Sequence, residues 1–160
     1  HRTFQYDDLL YFIYFLHYHY TTNESLETAF LIDGKFSDME ASLNSFNAYF
    51  FSLEHLIRTK KHVSCPLSGS TCKRLCMYLR WMVRSNEKGV DFGLWKKITP
   101  KDLMIPLDVH VHRIAVQFNL LTENQRNWDA VKVLTQKMKS FDKNDPVKYD
   151  FALFNLSVEG

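Results

Sequence analysis

Apolar residues recur every three or four positions along almost the whole chain, and that period restricts it to packed helices. The clearest run opens at Ser37-Asp-Met-Glu40, a capping-box pattern. It continues through Met39, Leu43, Phe46, Phe50, Leu53 and Ile57 up to Arg58. An earlier helix, capped by Asp7 or Asp8, runs to about Tyr20 with Leu9, Phe12, Ile13 and Leu16 on one face. Leu10, Tyr11 and Phe15 occupy its other faces, so burial on several sides is expected. A short helix over 25–32 stops at Gly34. Further helices are expected over 71–84, after Pro106-Leu-Asp108, over 128–141 behind an Asn127 cap, and after the Asp145-Pro146 pair. Five glycines and four prolines are too few for a loop-dominated fold, and 46% apolar residues suffice for a core. The expected class is all-α, with about seven helices and one continuous domain. That domain comprises an acidic, aromatic-rich segment (1–54) and a basic segment (55–160).

Charge is distributed unevenly. Residues 1–57 hold two bases and eight acids, and 58–160 hold eighteen bases and ten acids. Between Glu54 and Glu87 there is no carboxylate, yet Arg58, Lys60, Lys61, Lys73, Arg74, Arg80 and Arg84 all fall there. In the middle lies the small polar turn Ser68-Gly-Ser-Thr71, which feeds a helix N-terminus. Backbone N–H groups at such a start, inside a positive field, suit phosphate. On that helix Leu75, Cys76, Leu79, Met82 and Val83 share one face, and Lys73, Arg80 and Arg84 line up nearly opposite. The expectation is an outward basic stripe serving a polyanion.

Other chemistries are disfavoured. Cys65, Cys72 and Cys76 are odd in number and match no metal, haem or iron–sulfur spacing, so reduced thiols in a cytosolic protein are expected. His110 and His112, two apart on a helix, share no face and make no metal pair; no cofactor is expected. The apolar run from Leu9 to Leu16 is too short to span a bilayer. A chain that starts at His1 and at once enters an apolar helix reads as a fragment of a longer protein. The exposed first helix is a candidate surface for pairing between copies.

Gly69-Ser-Thr-Cys-Lys73-Arg74-Leu and Ile105-Pro-Leu-Asp108-Val-His110 resemble the helix-hairpin-helix DNA glycosylase superfamily, which includes endonuclease III and the oxidised-guanine glycosylases. The segments 72–84, 90–95, 105–113 and 141–153 more closely resemble an uncharacterised bacterial family, common in Bacteroidetes and a remote relative of those enzymes. That likeness covers most of residues 55–156, and its members are longer at the N-terminus. It implies a glycosylase-like helical fold, with the first helices of the barrel missing from this chain. It also implies Lys73 as nucleophile and Asp108 as its carboxylate partner. Thr71 departs from the pattern, because the hairpin usually carries a second glycine there, and the Lys73-to-Asp108 separation exceeds that of endonuclease III.

A bifunctional glycosylase needs an amine that attacks C1′ of the sugar and a carboxylate nearby. A helix start and the neighbouring Arg74 both disfavour the ammonium form of Lys73, whereas Asp108 at a helix start is held ionised. The plain alternatives are a phosphate contact for Lys73 and an N-cap for Asp108. Trp81 and Trp95 are stacking candidates or core residues, with core packing the better fit. The reading is therefore a DNA-binding protein of the glycosylase/AP-lyase type acting on damaged bases, cytoplasmic and nucleoid-associated. Its phosphate contacts are Ser68, Gly69, Ser70, Thr71, Arg74, Arg80, Arg84, Lys60, Lys61 and His110. The rivals are a non-catalytic DNA-binding module of the same fold and a structural or interaction protein. A Lys73–Asp108 separation of about 5–8 Å would leave room for a sugar between them.

Overall fold

The computed structural model describes residues 3–85 and 89–159, with side chains described through residue 156. Residues 86–88 of the expected 85–102 loop lie outside this range. Among the described residues there are six α-helices: α1 (Tyr6–Tyr20), α2 (Met39–Phe50), α3 (Lys73–Val83), α4 (Val109–Gln117), α5 (Trp128–Phe141) and α6 (Asp150–Glu159). Short 3₁₀ turns span Leu26–Phe30, Ile57–His62, Pro66–Ser68, Pro100–Asp102 and Pro146–Tyr149. Extended pairing among these residues is limited to the isolated bridges Ile32–Lys35 and Ser85–Phe92. The all-α class holds. The chain divides into two compact units, His1–Ser64 and Cys65–Gly160.

In the first unit α1 turns a different face inward from the one its periodicity suggested. Asp8, Tyr11, Phe15 and His19 are buried, while Leu9, Ile13 and Leu16 are exposed. With apolar side chains all round, hydrophobicity does not fix the rotation of α1; polar partners do. Asp8 accepts from Thr59 Oγ1 at 2.8 Å and pairs with Arg58 and His62 at 3.3 and 3.2 Å. At the other end His19 bonds the Tyr49 hydroxyl and the Ser25 carbonyl, both at 3.1 Å. Phe46 and Phe50 of α2 pack against Phe15 of this helix.

Two expected helices are shorter than their periodicity. The 25–32 segment is only a 3₁₀ turn, closed by the Asp33–Gly34 pair at positive φ. α2 starts at an Asp38 cap, whose carboxylate accepts from Ala41 N at 2.9 Å. It ends at Phe50 rather than Arg58. The Tyr11 hydroxyl donates to the Phe50 carbonyl, the acceptor that a further helical turn would need. Ile57 then stands 87% exposed.

The second unit is built around Leu79, Ile98, Leu103, Ile105, Val111, Val131 and Leu134, all nearly inaccessible. Each such aliphatic side chain contributes about 1.5–3 kcal/mol by leaving water. α5 follows its sequence pattern: Asn127 Oδ1 accepts from Ala130 N, and Val131, Leu134 and Met138 face inward. Trp95 is buried, as a core plug should be, and its backbone N–H donates to the Met82 carbonyl at 2.9 Å. Trp81 and Phe118 remain exposed. α4 packs on α6, and α5 on the Pro146–Tyr149 turn.

Candidate functional site

Two segments of the second unit place the candidate amine and acid. Gly69 closes the Pro66–Ser68 turn at φ 74°, its N–H donating to the Pro66 carbonyl at 2.8 Å. A Cβ at Gly69 would meet nothing within 4 Å, so its need for glycine is conformational and its outer side is open. Ser70 Oγ then accepts from Cys72 N at 3.0 Å, and Cys72, at φ 50°, turns the chain into α3 with Lys73 as its first residue. The second segment is extended. Leu103, Ile105 and Leu107 are buried, and Ile105 N donates to Thr135 Oγ1 on α5 at 3.0 Å. That anchor delivers Asp108 to the start of α4.

Asp108 uses its oxygens separately. Oδ1 accepts from the backbone N–H groups of His110 and Val111 at 2.9 and 2.8 Å and caps α4. Oδ2 accepts from Lys73 Nζ at 2.8 Å. The Lys73 side chain is 45% exposed and that of Asp108 10%. Partial burial works against ionisation of Asp108, but the Lys73 ammonium and the two backbone donors outweigh it and hold the carboxyl below its ordinary range. The pair touches directly rather than standing about 5–8 Å apart as expected. Around them opens a cleft of about 280 Å³, lined by Thr71, Lys73, Leu107, Asp108, Val109, His112 and Arg126.

The outward basic stripe on α3 does not form, and two expected phosphate contacts are corrected. Arg80 is fully buried. Its Nη1 donates to Asp150 at 2.5 Å, its Nε lies 3.4 Å from Asp91, and its guanidinium sits 4.1 Å from the Phe151 ring centre. Arg84, 13% exposed, grips both oxygens of Asp145 at 2.7–3.0 Å and also bonds Asp91. The carboxylates come from residues up to seventy positions away, which helical spacing cannot foresee. Burial raises the Asp150 carboxyl above its ordinary value against the pull of Arg80.

The remaining expected residues are placed as follows. Ser68, Gly69, Lys73, Arg74 and His110 are exposed, and Ser70 and Thr71 half-buried, all in the second unit. Lys60 and Lys61 are exposed on the 3₁₀ turn of the first unit, where Arg58 is taken up by Asp7 and Asp8. His110 lies against the Phe154 ring at 5.7 Å. The three cysteines are free thiols, and burial pushes the Cys76 thiol far up. Among the described residues no group of three His, Cys, Asp or Glu converges as metal ligands, and no helix is long and apolar enough to cross a membrane.

Residues 1–159 match the family described as a protein of unknown function, DUF2400. The chain belongs to the DUF2400 family. No curated protein and no solved structure matches it. Within this DUF2400 fold, sequence reasoning missed His112 and Arg126 as cleft residues. His112 lies one helical turn after Asp108, a spacing that could have flagged it. Arg126 comes from the connection between α4 and α5, where no periodic signal exists.

Proposed function

We propose that this chain is a DNA-binding protein of the glycosylase/AP-lyase type, with a helix-hairpin-helix-like fold, acting on damaged bases. The observation that carries the reading is the Lys73–Asp108 pair: an accessible amine and an ionised carboxylate, at the starts of two helices, facing one cleft. The resemblance of 69–75 and 105–110 to the glycosylase motifs supports it. A flipped nucleotide places its sugar at Lys73. Once Lys73 has lost its extra proton to water, Nζ forms a bond to C1′ while the C1′–base bond breaks. That electron pair leaves with the base, which takes up a proton. Opening of the C1′–O4′ bond, with O4′ protonated, yields the Schiff base. Asp108, still held by the His110 and Val111 N–H groups when Lys73 bonds C1′, supplies electrostatic support to the positive C1′ centre. Ser68, Gly69, Ser70, Thr71 and Arg74 supply phosphate contacts around the turn.

Borohydride trapping on duplexes carrying an abasic site or an oxidised base tests this. The expected result is a covalent adduct that disappears in Lys73→Ala. An adduct unchanged in that variant, or none with any lesion, removes the catalytic reading.

A second reading, a non-catalytic DNA-binding module, is favoured by the direct 2.8 Å ion pair and by Thr71 where the hairpin pattern has glycine. It retains salt-dependent DNA affinity, with a log–log slope of about −3 to −5 for a few phosphate contacts, and gives no adduct.

A further inference from the structure

The cleft that holds Lys73 and Asp108 does not end at α4. A second cleft of about 420 Å³ adjoins it, lined by Val109, His110, His112, Arg113, Val116, Glu123 and Arg126. Val109, His112 and Arg126 line both. The two clefts therefore share a wall, and that wall carries an arginine and a histidine. The charged side chains on the second cleft are Arg113, Arg126 and Glu123. Arg126 is exposed and makes no ion pair with a carboxylate among the described residues, unlike Arg58, Arg80 and Arg84. His112 is 5% exposed, and its Nε2 is enclosed without a hydrogen-bond partner among the described residues. A buried ring nitrogen left unsatisfied and an exposed guanidinium without a carboxylate thus line the same two clefts.

We propose that Arg126, which lines both clefts together with His112, is a phosphate-binding site for the strand that enters the Lys73 cleft. The inference rests on the nucleic-acid reading above and adds to it a second anchor on the α4 side, distinct from the 68–74 turn. A guanidinium fits the ligand because its fork of N–H donors matches two oxygens of one phosphate. Placed at the common wall, Arg126 holds the backbone beside the nucleotide whose sugar faces Lys73, and so orients C1′ toward the amine. Arg126 is thus a positioning residue rather than a catalytic one. A phosphodiester and a free phosphate share this chemistry, and the test separates them.

The experiment measures affinity for a duplex with a central abasic site across a salt series, for the wild-type chain, Arg126→Gln, Arg126→Lys and Arg74→Gln, with thermal melts as a check on folding. The expected result for Arg126→Gln is a loss of about one unit of log–log slope and weaker binding at every sequence, with melting unchanged and Arg126→Lys recovering the slope. An unchanged slope in Arg126→Gln, while Arg74→Gln loses one unit, overturns this inference and leaves the DNA reading standing. A wild-type chain with no salt-dependent affinity overturns both. Inorganic phosphate or pyrophosphate that raises the melting temperature of the wild type but not of Arg126→Gln, with DNA inert, assigns the site to a small phosphorylated ligand and overturns the strand-anchoring role.

Discussion

Asp108 divides its carboxylate between two duties: Oδ1 caps α4 through His110 and Val111, and Oδ2 holds Lys73 at 2.8 Å. The helix start and the candidate chemistry thus depend on one side chain. The two duties respond differently to substitution.

Replacing Asp108 with Ala removes both. The lost cap alone costs about 1 kcal/mol. Lys73→Ala removes an ion pair whose amine is nearly half exposed, and such pairs contribute less than about 1 kcal/mol. Urea unfolding should therefore show Asp108→Ala clearly destabilised and Lys73→Ala close to wild type. A large stability loss in Lys73→Ala would make Lys73 structural and remove it as a clean probe of chemistry.

Arg80 and Arg74 lie on the same helix and should behave oppositely. Truncating Arg80 strands Asp150 and leaves Asp91 with one arginine instead of two, inside the fold, at a cost of about 3–5 kcal/mol. Arg74 is exposed, and its replacement by Ala should change stability by less than about 0.5 kcal/mol while weakening DNA binding. Denaturant midpoints for the two variants, read beside their DNA affinities, check this. A stable Arg80→Ala chain would show the buried network to be dispensable.

Acid should loosen both units through named carboxylates. The Gln5 N–H lowers the Asp8 carboxyl, against burial and with help from Thr59, Arg58 and His62. Asp108 is lowered as described above. A group whose folded value lies below its unfolded one, near 3.8, favours the native state in its ionised form. Its contribution is fully present above that value and lost as pH falls below it. Melting temperature should thus drop below about pH 4 as Asp8 and Asp108 take up protons, against the opposite effect of Asp150, whose raised carboxyl favours the native state when protonated. In Asp8→Asn the drop should shrink on an already lowered baseline; an identical acid limb would place the sensitivity elsewhere.

Two glycines at positive φ should differ in tolerance. A Cβ on Gly93 would sit 2.6 Å from Ser85 Cβ and 3.3 Å from the Arg84 carbonyl oxygen, at φ 61°. Gly69 has open space at that position and only its φ of 74° to satisfy. Gly93→Ala should cost upwards of about 2 kcal/mol and Gly69→Ala about 1 kcal/mol. Thermal melts of the two variants decide it, and equal losses would mean that the Ser85 contact relaxes freely.

Much of the helical order was legible before any coordinates. α5 could be written down from its Asn127 cap and its Val131, Leu134 and Met138 spacing, because cap and stripe are both local. The start of α4 at Asp108 was equally readable. The rotation of α1 was not, since apolar residues on every side leave its orientation to Asp8 and His19, whose partners lie on other elements. Nor was the end of α2, where a tyrosine from α1 takes the carbonyl that the next turn required.

The candidate site divides along the same line. Residue order alone put Lys73 and Asp108 each at a helix N-terminus, because turn and capping preferences act over three or four residues. Only the folded chain brought them to 2.8 Å, across thirty-five positions, and set Arg126 beside them. Only the folded chain took Arg80 and Arg84 out of the basic surface and spent them on Asp91, Asp145 and Asp150. A charge run specifies how many cations a segment carries. Which of them face solvent is decided by where distant carboxylates arrive, since a buried guanidinium is tolerated only beside an opposite charge.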